Sequence, residues 1–234
     1  MKNIFLTTSL VIISILIASC DPESILDISG DTNGGYKYES ADDYAWSDSL
    51  QETITLSGTS ATTSSSKVTI SGSTVTITDG GYYILSGTLT NGQIVINSDS
   101  GIVRIKLNSV TLSNSTTSPF YIKSSKKTVI FLENGTSNNI NDANTYSSTE
   151  EPNAAIFSNG FLSITGDGSL TVKGNCYDGI ASDDELIINS GTISVTAKDD
   201  ALRGKDFLKI NGGTITATAT SGHALKSDDT ETKG

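Results

Sequence analysis

Carboxylates recur at fixed places in the last third of the chain. Counted from the aliphatic residues Ile180, Leu202 and Leu225, the fourth position onward is Asp184, Asp206 and Asp229, and the second position back is Asp178, Asp200 and His223. If these segments stack as neighbouring parallel strands, equivalent side chains come within about 4.8 Å of one another. Like charges that close disfavour their own ionised forms unless a cation intervenes. Calcium is the ion such a file would select, being a hard cation that takes Asp, Asn and carbonyl oxygens in flexible geometry. The competing reading is local, since Asp and Asn hydrogen-bond nearby backbone and favour turns with or without a metal.

The files require that the chain stack on itself, and its periodicity says that it does. Ile180, Leu202 and Leu225 are 22 and 23 residues apart. Leu186-Ile187-Ile188 is matched by Leu208-Lys209-Ile210, and Gly191-Thr192-Ile193-Ser194-Val195 by Gly213-Thr214-Ile215-Thr216-Ala217. A period of this size marks a stacked repeat. Each unit holds three short alternating apolar stretches bounded by Gly, Asn, Asp or Ser, which is strand punctuation. The expected fold class is all-β, a single-stranded parallel β-helix with three short strands per coil of 22–24 residues, filling 51–234. Residues 51–92 would supply its N-terminal cap and irregular first coils, covering an edge that would otherwise pair with other chains. Residues 141–153 break the period as an insertion, which in stacked repeats often maps to the binding face and which reads equally as a solvated loop. Gly234 follows the third acidic turn with no capping segment before it, so further coils are expected.

Composition narrows the partners. Only 18% of residues are charged and 6% aromatic, and the net charge is −11, so there is no basic patch to neutralise nucleic-acid phosphates. Lys2, the apolar run from Ile4 to Ile17 and the ending Ile17-Ala18-Ser19-Cys20 read as a secretory signal over 1–19, with Cys20 carrying lipid in the mature protein. Cys176 then has no disulfide partner and reads as a small buried residue. Residues 20–50 read as a flexible tether, with Trp46 either starting a cap or stacking on a ligand. The expectation is a monomeric exported lipoprotein of the cell envelope or surface that touches the membrane only through its anchor.

Glu151-Pro152-Asn153-Ala154-Ala155-Ile156, Gly166-Asp167-Gly168-Ser169-Leu170-Thr171-Val172, Tyr177-Asp178-Gly179-Ile180-Ala181-Ser182 and Gly212-Gly213-Thr214-Ile215-Thr216 resemble the bacterial family of carbohydrate-binding domain-containing proteins. The resemblance runs from about Tyr82 to the C-terminus. It implies a right-handed parallel β-helix similar to pectate lyases, calcium in the acidic turns, and adhesion to plant cell-wall polysaccharide, either polygalacturonate or cellulose-type glucan. Carried over by motif, the calcium ligands would be Asp178, Asp183, Asp184, Asp199, Asp200, Asp228 and Asp229, with Asp206 added from its file. Ala201 stands where the family pattern has Gly and His223 where it has Asp, which weakens the last site.

Strand alternation about Ile180, Leu202 and Leu225 turns Ala155, Gly179, Ala201 and Ala224 outward on one side and Phe157, Ala181, Arg203 and Lys226 on the other. An extended sugar chain could lie on this strip, with Phe157 as a platform and Arg203 and Lys226 pairing uronate carboxylates. The same two cations could instead balance the neighbouring aspartates. A non-catalytic calcium-dependent binder is the expected function. A polysaccharide lyase is the alternative, with calcium acidifying the carbon beside the uronate and Arg203 or Lys205 as base. A structural surface adhesin is the third reading.

Overall fold

Parallel pairing at a nearly constant sequence offset organises this chain. In the computed structural model Ile156 pairs with Ile180, Ile180 with Leu202 and Leu202 with Leu225, steps of 24, 22 and 23 residues. Leu162, Leu186 and Leu208 form a second such column, and Leu170, Ile193 and Ile215 a third. The structure describes residues 39–148 and 151–228. The signal segment, Cys20 and Asp229 therefore lie outside the described residues.

The columns stand on three faces. Lys127–Leu132, Leu162–Gly166, Glu185–Ile188 and Phe207–Ile210 build the first; Ser137–Asn141, Ser169–Gly174, Thr192–Ala197 and Thr214–Ala219 build the second. The long strand Ile102–Ser113 belongs to both, pairing with Lys127–Leu132 through its first half and with Ser137–Asn141 through its second, so one 12-stranded sheet curls around the core. An eight-stranded sheet forms the third face, including Gln93–Asn97, Phe120–Ser124, Ala154–Ser158, Asp178–Ser182, Leu202–Gly204 and Leu225–Ser227. Each passage of the chain across the faces is called a course below. The only helical element among the described residues is a 3-10 turn at Ala41–Tyr44.

Alternating Val, Ile and Leu with Ser, Thr and Lys gives each strand one dry and one wet side. The dry sides of all three faces meet in one cluster that includes Ile105, Leu107, Ile130, Ile156, Ile164, Leu170, Ile180, Val195 and Leu202. Ala155 and Ala201 belong to that cluster too, and a side chain on Gly179 would point at Val195. Ala155, Gly179 and Ala201 of the small-residue strip therefore face the core rather than a ligand, while Ala224 on the last described course is exposed. The strip lies where the chain bends from the second face to the third, and there two successive residues turn inward.

Two antiparallel pairings lie at the N-terminal end of the described strands. Gln51–Gly58 folds back antiparallel on Ser60–Thr63, and Val68–Ser71 on Thr74–Ile77, so the first edges are hairpins. Residues from Ser40 onward, expected to be part of a tether over 20–50, instead pack on the first face. Arg104 donates to the carbonyl oxygens of Asp42 (2.7 Å) and Asp43 (3.0 Å), Lys127 pairs with the Asp43 carboxylate at 2.5 Å, and the Tyr44 and Ser163 hydroxyls are 3.0 Å apart. Trp46 sits edge-on to Tyr82 and Phe131, with the Lys106 ammonium 4.2 Å from its ring centre. This strap crosses four strands, and Trp46 clamps their outer side.

Close packing at the corner gives a direct check. A Cβ on Gly179 would lie 2.2 Å from Val195 Cγ1 and 2.7 Å from the Ala201 carbonyl oxygen. Gly179→Ala should lower the unfolding free energy by about 1–3 kcal/mol through overpacking, read from the denaturant midpoint. An unchanged midpoint would mean that the two courses are not in contact there.

Candidate functional site

Parallel register brings the acidic turns of successive courses into contact at the two ends of the third face. At the entry to that face, Asp178, Asp199 and Asp200 offer carboxylate oxygens that all lie within 4.8 Å of one another. Asp178 and Asp200 are buried and Asp199 is exposed. Among the described residues no other group of three acidic, histidine or cysteine side chains converges like this. The pocket around it has a volume of about 190 Å³ and is lined by Asn153, Tyr177, Arg203, Lys226 and Asp228 as well as the three aspartates.

Two cations run through the cluster. Arg203 Nε donates to Asp178 Oδ2 at 2.8 Å, its Nη2 lies 3.4 Å from Asn153 Oδ1, and its Nη1 lies 3.6 Å from both Asp183 and Asp228. Lys226 Nζ is 3.0 Å from Asp200 Oδ2 and 3.3 Å from Asp228 Oδ1. Asp200 Oδ1 also accepts the backbone N–H of His223, and its imidazole Nδ1 is 3.2 Å away. Asp178 Oδ1 accepts the Asp200 backbone N–H at 3.0 Å. The file of like charges is therefore interrupted by Arg203 and Lys226, which neutralise part of it.

The protonation preferences follow from this wiring. Burial raises the pKa of Asp178, and the bond from Arg203 only partly offsets it. Asp200 goes the other way: burial opposes its charge, but the His223 N–H and Lys226 outweigh that and hold its pKa below the ordinary value. Burial also works against the charge on Arg203, yet its bond to Asp178 raises its pKa. The pocket lining carries four carboxylates and two firmly charged cations, an excess of two negative charges.

The other expected residues divide by position. Asp183 and Asp184 lie at the exit from the third face, one course below Asp206, whose backbone N–H donates to the Asp184 carbonyl oxygen at 3.1 Å. Burial raises the Asp184 pKa, with Asp206 and Asp183 adding to the shift. These three residues do not join the convergent group. Phe157 is in register with Ala181, Arg203 and Lys226 but fully buried beside Ala154, Ala181 and Tyr121. It offers no face to a sugar, because Tyr121 from the preceding course packs over it. Arg203 is 9% exposed and spends its donors inside the cluster, so it is a structural cation rather than a ligand contact. Lys226 remains accessible, with its side chain 34% exposed.

Three contributors escaped the sequence reading. Asn153, at the end of the insertion, reaches Arg203, and Tyr177 forms a wall of the pocket. Gly222 is the third: a Cβ there would meet Asp199 Oδ1 at 2.4 Å and Asp200 Oδ1 at 2.6 Å. The Ser221-Gly222-His223 turn marked it in the sequence, but only the closeness of the next course shows what the missing side chain leaves room for.

Comparison with known proteins agrees with this architecture. A family model described as carbohydrate-binding domain-containing protein matches residues 71–234. A relative with that description from Acetivibrio thermocellus is 36% identical over 126 residues, 52% of this chain and 44% of its own length. The chain thus spans under half the length of the curated relative that it matches. The gadolinium derivative of a polysaccharide lyase-like protein from C. thermocellum superposes with a TM-score of 0.73 at 32% identity, covering 78% of this chain and 75% of that one. With the match extending over most of its length, this chain belongs to the family of carbohydrate-binding domain-containing proteins.

Proposed function

We propose that the protein is a non-catalytic, calcium-dependent binder of plant cell-wall polysaccharide, built as a right-handed parallel β-helix and held at the cell surface through Cys20. The observation that carries this reading is the convergence of Asp178, Asp199 and Asp200 in an accessible pocket with two uncompensated negative charges. All three donors are oxygens, as a hard divalent cation prefers. Gly222 leaves the space in front of Asp199 and Asp200 that a side chain would fill. Those three carboxylates would hold calcium, which when bound supplies a positive centre for the carboxylate of an acidic sugar. Three carboxylates fall short of the six to eight oxygens calcium takes, so sites are left for water and ligand oxygen.

Lys226 completes the arrangement. Its ammonium sits at the accessible side of the cluster between Asp200 and Asp228 and can pair a uronate carboxylate there. An acidic protein would otherwise repel an acidic polymer. Arg203 fixes the geometry beneath it. The lyase reading is less well supported because Arg203, the candidate base nearest the cluster, would have to release a proton that Asp178 holds in place.

Retention on insoluble polygalacturonate should be seen in calcium and abolished by a chelator, while ultraviolet absorbance at the wavelength of unsaturated product stays flat. Rising absorbance would move the protein to the lyases. Retention that a chelator does not disturb would remove calcium from the reading.

Asp199 is exposed and outside the internal ion pairs, so Asp199→Asn should leave the melting temperature in chelator unchanged and reduce its rise in calcium. A ligand at 100 times its Kd stabilises by about 2.7 kcal/mol, which sets the scale of the rise in the unmodified protein. Equal rises in the two proteins would exclude Asp199 as a ligand.

Acidity should act oppositely on the free and the calcium-loaded protein. Burial raises the pKa of Asp142, Asp178, Asp184 and Glu185, so their contribution to stability is full below the unfolded pKa values and is lost as pH rises through the folded ones. In chelator the melting temperature should therefore climb as pH falls from about 7 toward 4.5. The calcium increment should shrink over the same range, because protons compete with the metal for carboxylate oxygen. A calcium increment independent of pH would rule out carboxylate ligation.

A further inference from the structure

A second concavity lies on the same edge of the molecule, where the chain turns from the second face to the third in earlier courses. It has a volume of about 610 Å³, within the range of small-molecule and cofactor sites. Its lining contrasts with the acidic pocket: Asn91, Asn114, Asn141, Asn144 and Asn175 supply amides, Ser115 and Thr145 hydroxyls, and Lys173 one cation. Asp142 also lines it, but it is buried and accepts hydrogen bonds from the Tyr146 hydroxyl (2.7 Å) and the Asn175 N–H (2.5 Å).

The amides follow the stacking. Asn91, Asn114, Asn141 and Asn175 belong to four courses and are tied across them. Asn91 Oδ1 accepts from Ser115, Asn114 Nδ2 donates to the Gly92 carbonyl oxygen, and Asn175 Nδ2 donates to Asn141 Oδ1. Three steps of about 4.8 Å make the row about 14 Å long, with rungs spaced like the pyranose units of an extended polysaccharide. An amide both donates and accepts, which suits hydroxyls that do the same and gives no preference for charge.

The insertion forms the wall of this groove. It is anchored by Ala143 and Tyr146, which pack with Cys176, and by the Tyr146 hydroxyl on Asp142 and the Ala154 carbonyl oxygen. Anchoring from beneath leaves Asn144 and Thr145 exposed on the groove side. Their side chains and that of the exposed Lys173 have no hydrogen-bond or ion-pair partner among the described residues. The wall is held rigidly while its polar groups stay available.

We propose that this groove binds a neutral, polyhydroxylated sugar chain, independently of the acidic pocket and without a metal. The proposal deepens the carbohydrate-binding reading and rests on it for the class of ligand. The test is affinity electrophoresis of the full chain in chelator, through gels holding hydroxyethyl cellulose, xyloglucan or galactomannan. The combined variant Asn144→Ala, Thr145→Ala, Lys173→Ala is run beside it after its melting temperature has been matched to the unmodified protein. Retardation by at least one neutral polymer, weakened about tenfold or more in the variant, is the expected result, and Lys173→Gln alone should keep most of it. Lack of retardation in every gel overturns the groove, and so does equal retardation of variant and unmodified protein. Retention on polygalacturonate in calcium is measured in parallel, so that failure of the groove leaves the acidic-site reading standing and failure of the acidic site leaves the groove standing.

Discussion

Stacking in register is the constraint on which everything else in this molecule depends. Once Ile180 pairs with Leu202, and Leu202 with Leu225, each side chain stands beside its counterpart at strand spacing. For aliphatic residues this is favourable, since one column supplies continuous apolar contact from course to course. For a carboxylate it is costly, because the neighbour carries the same charge and burial removes the water that would screen it. The raised pKa values of Asp178 and Asp184 register that cost. Arg203 and Lys226 offset part of it within the entry file.

A buried ion pair contributes less to stability than its distances suggest, because each charge was solvated before folding. Its value here is better seen as geometric. Arg203 touches carboxylates of the courses on either side of its own, Asp178 and Asp183 of one and Asp228 of the other, and so ties three successive courses together. Of the convergent group, Arg203 fixes the Asp178 carboxylate and Lys226 fixes that of Asp200. The strap from Ser40 to Trp46 does comparable work on the first face, with Arg104 and Lys127 securing backbone that would otherwise be a loose leader.

Much of this was legible in the sequence, and the failures share a cause. Period, strand number and the matched columns follow from spacing alone, and the acidic residues at the entry were located by counting from Ile180 and Leu202. Counting failed at the corners. Alternation holds only along a straight strand, so Ala155 and Ala201 were placed outside when the bend turns them in. Phe157 was assigned correctly to the outer side but loses its exposure to Tyr121, a neighbour 36 residues earlier that no local pattern connects to it. The strap carried no periodic signal, and its low hydrophobicity reads as linker until its partners on the first face are known.

The edge between the second and third faces changes character along its length. Its early courses present Asn91, Asn114, Asn141 and Asn175, and its later ones Asp178, Asp199 and Asp200. Tyr177 stands at the change, half-buried and edge-on to Tyr146 of the insertion. An uncharged row and an anionic pocket thus share one line parallel to the stacking direction. A neutral chain meets matched hydrogen-bonding groups along the first part and a charged, strongly hydrated pocket along the second. An acidic chain meets the reverse, with Lys173 alone to neutralise it in the first part and Arg203 and Lys226 set among carboxylates in the second. Because stacking makes the two regions collinear, a polymer that engaged both of the proposed sites would form its second contact at the high effective concentration set by the first. Were both proposed sites to bind sugar, affinity for mixed chains would exceed that for either pure polymer.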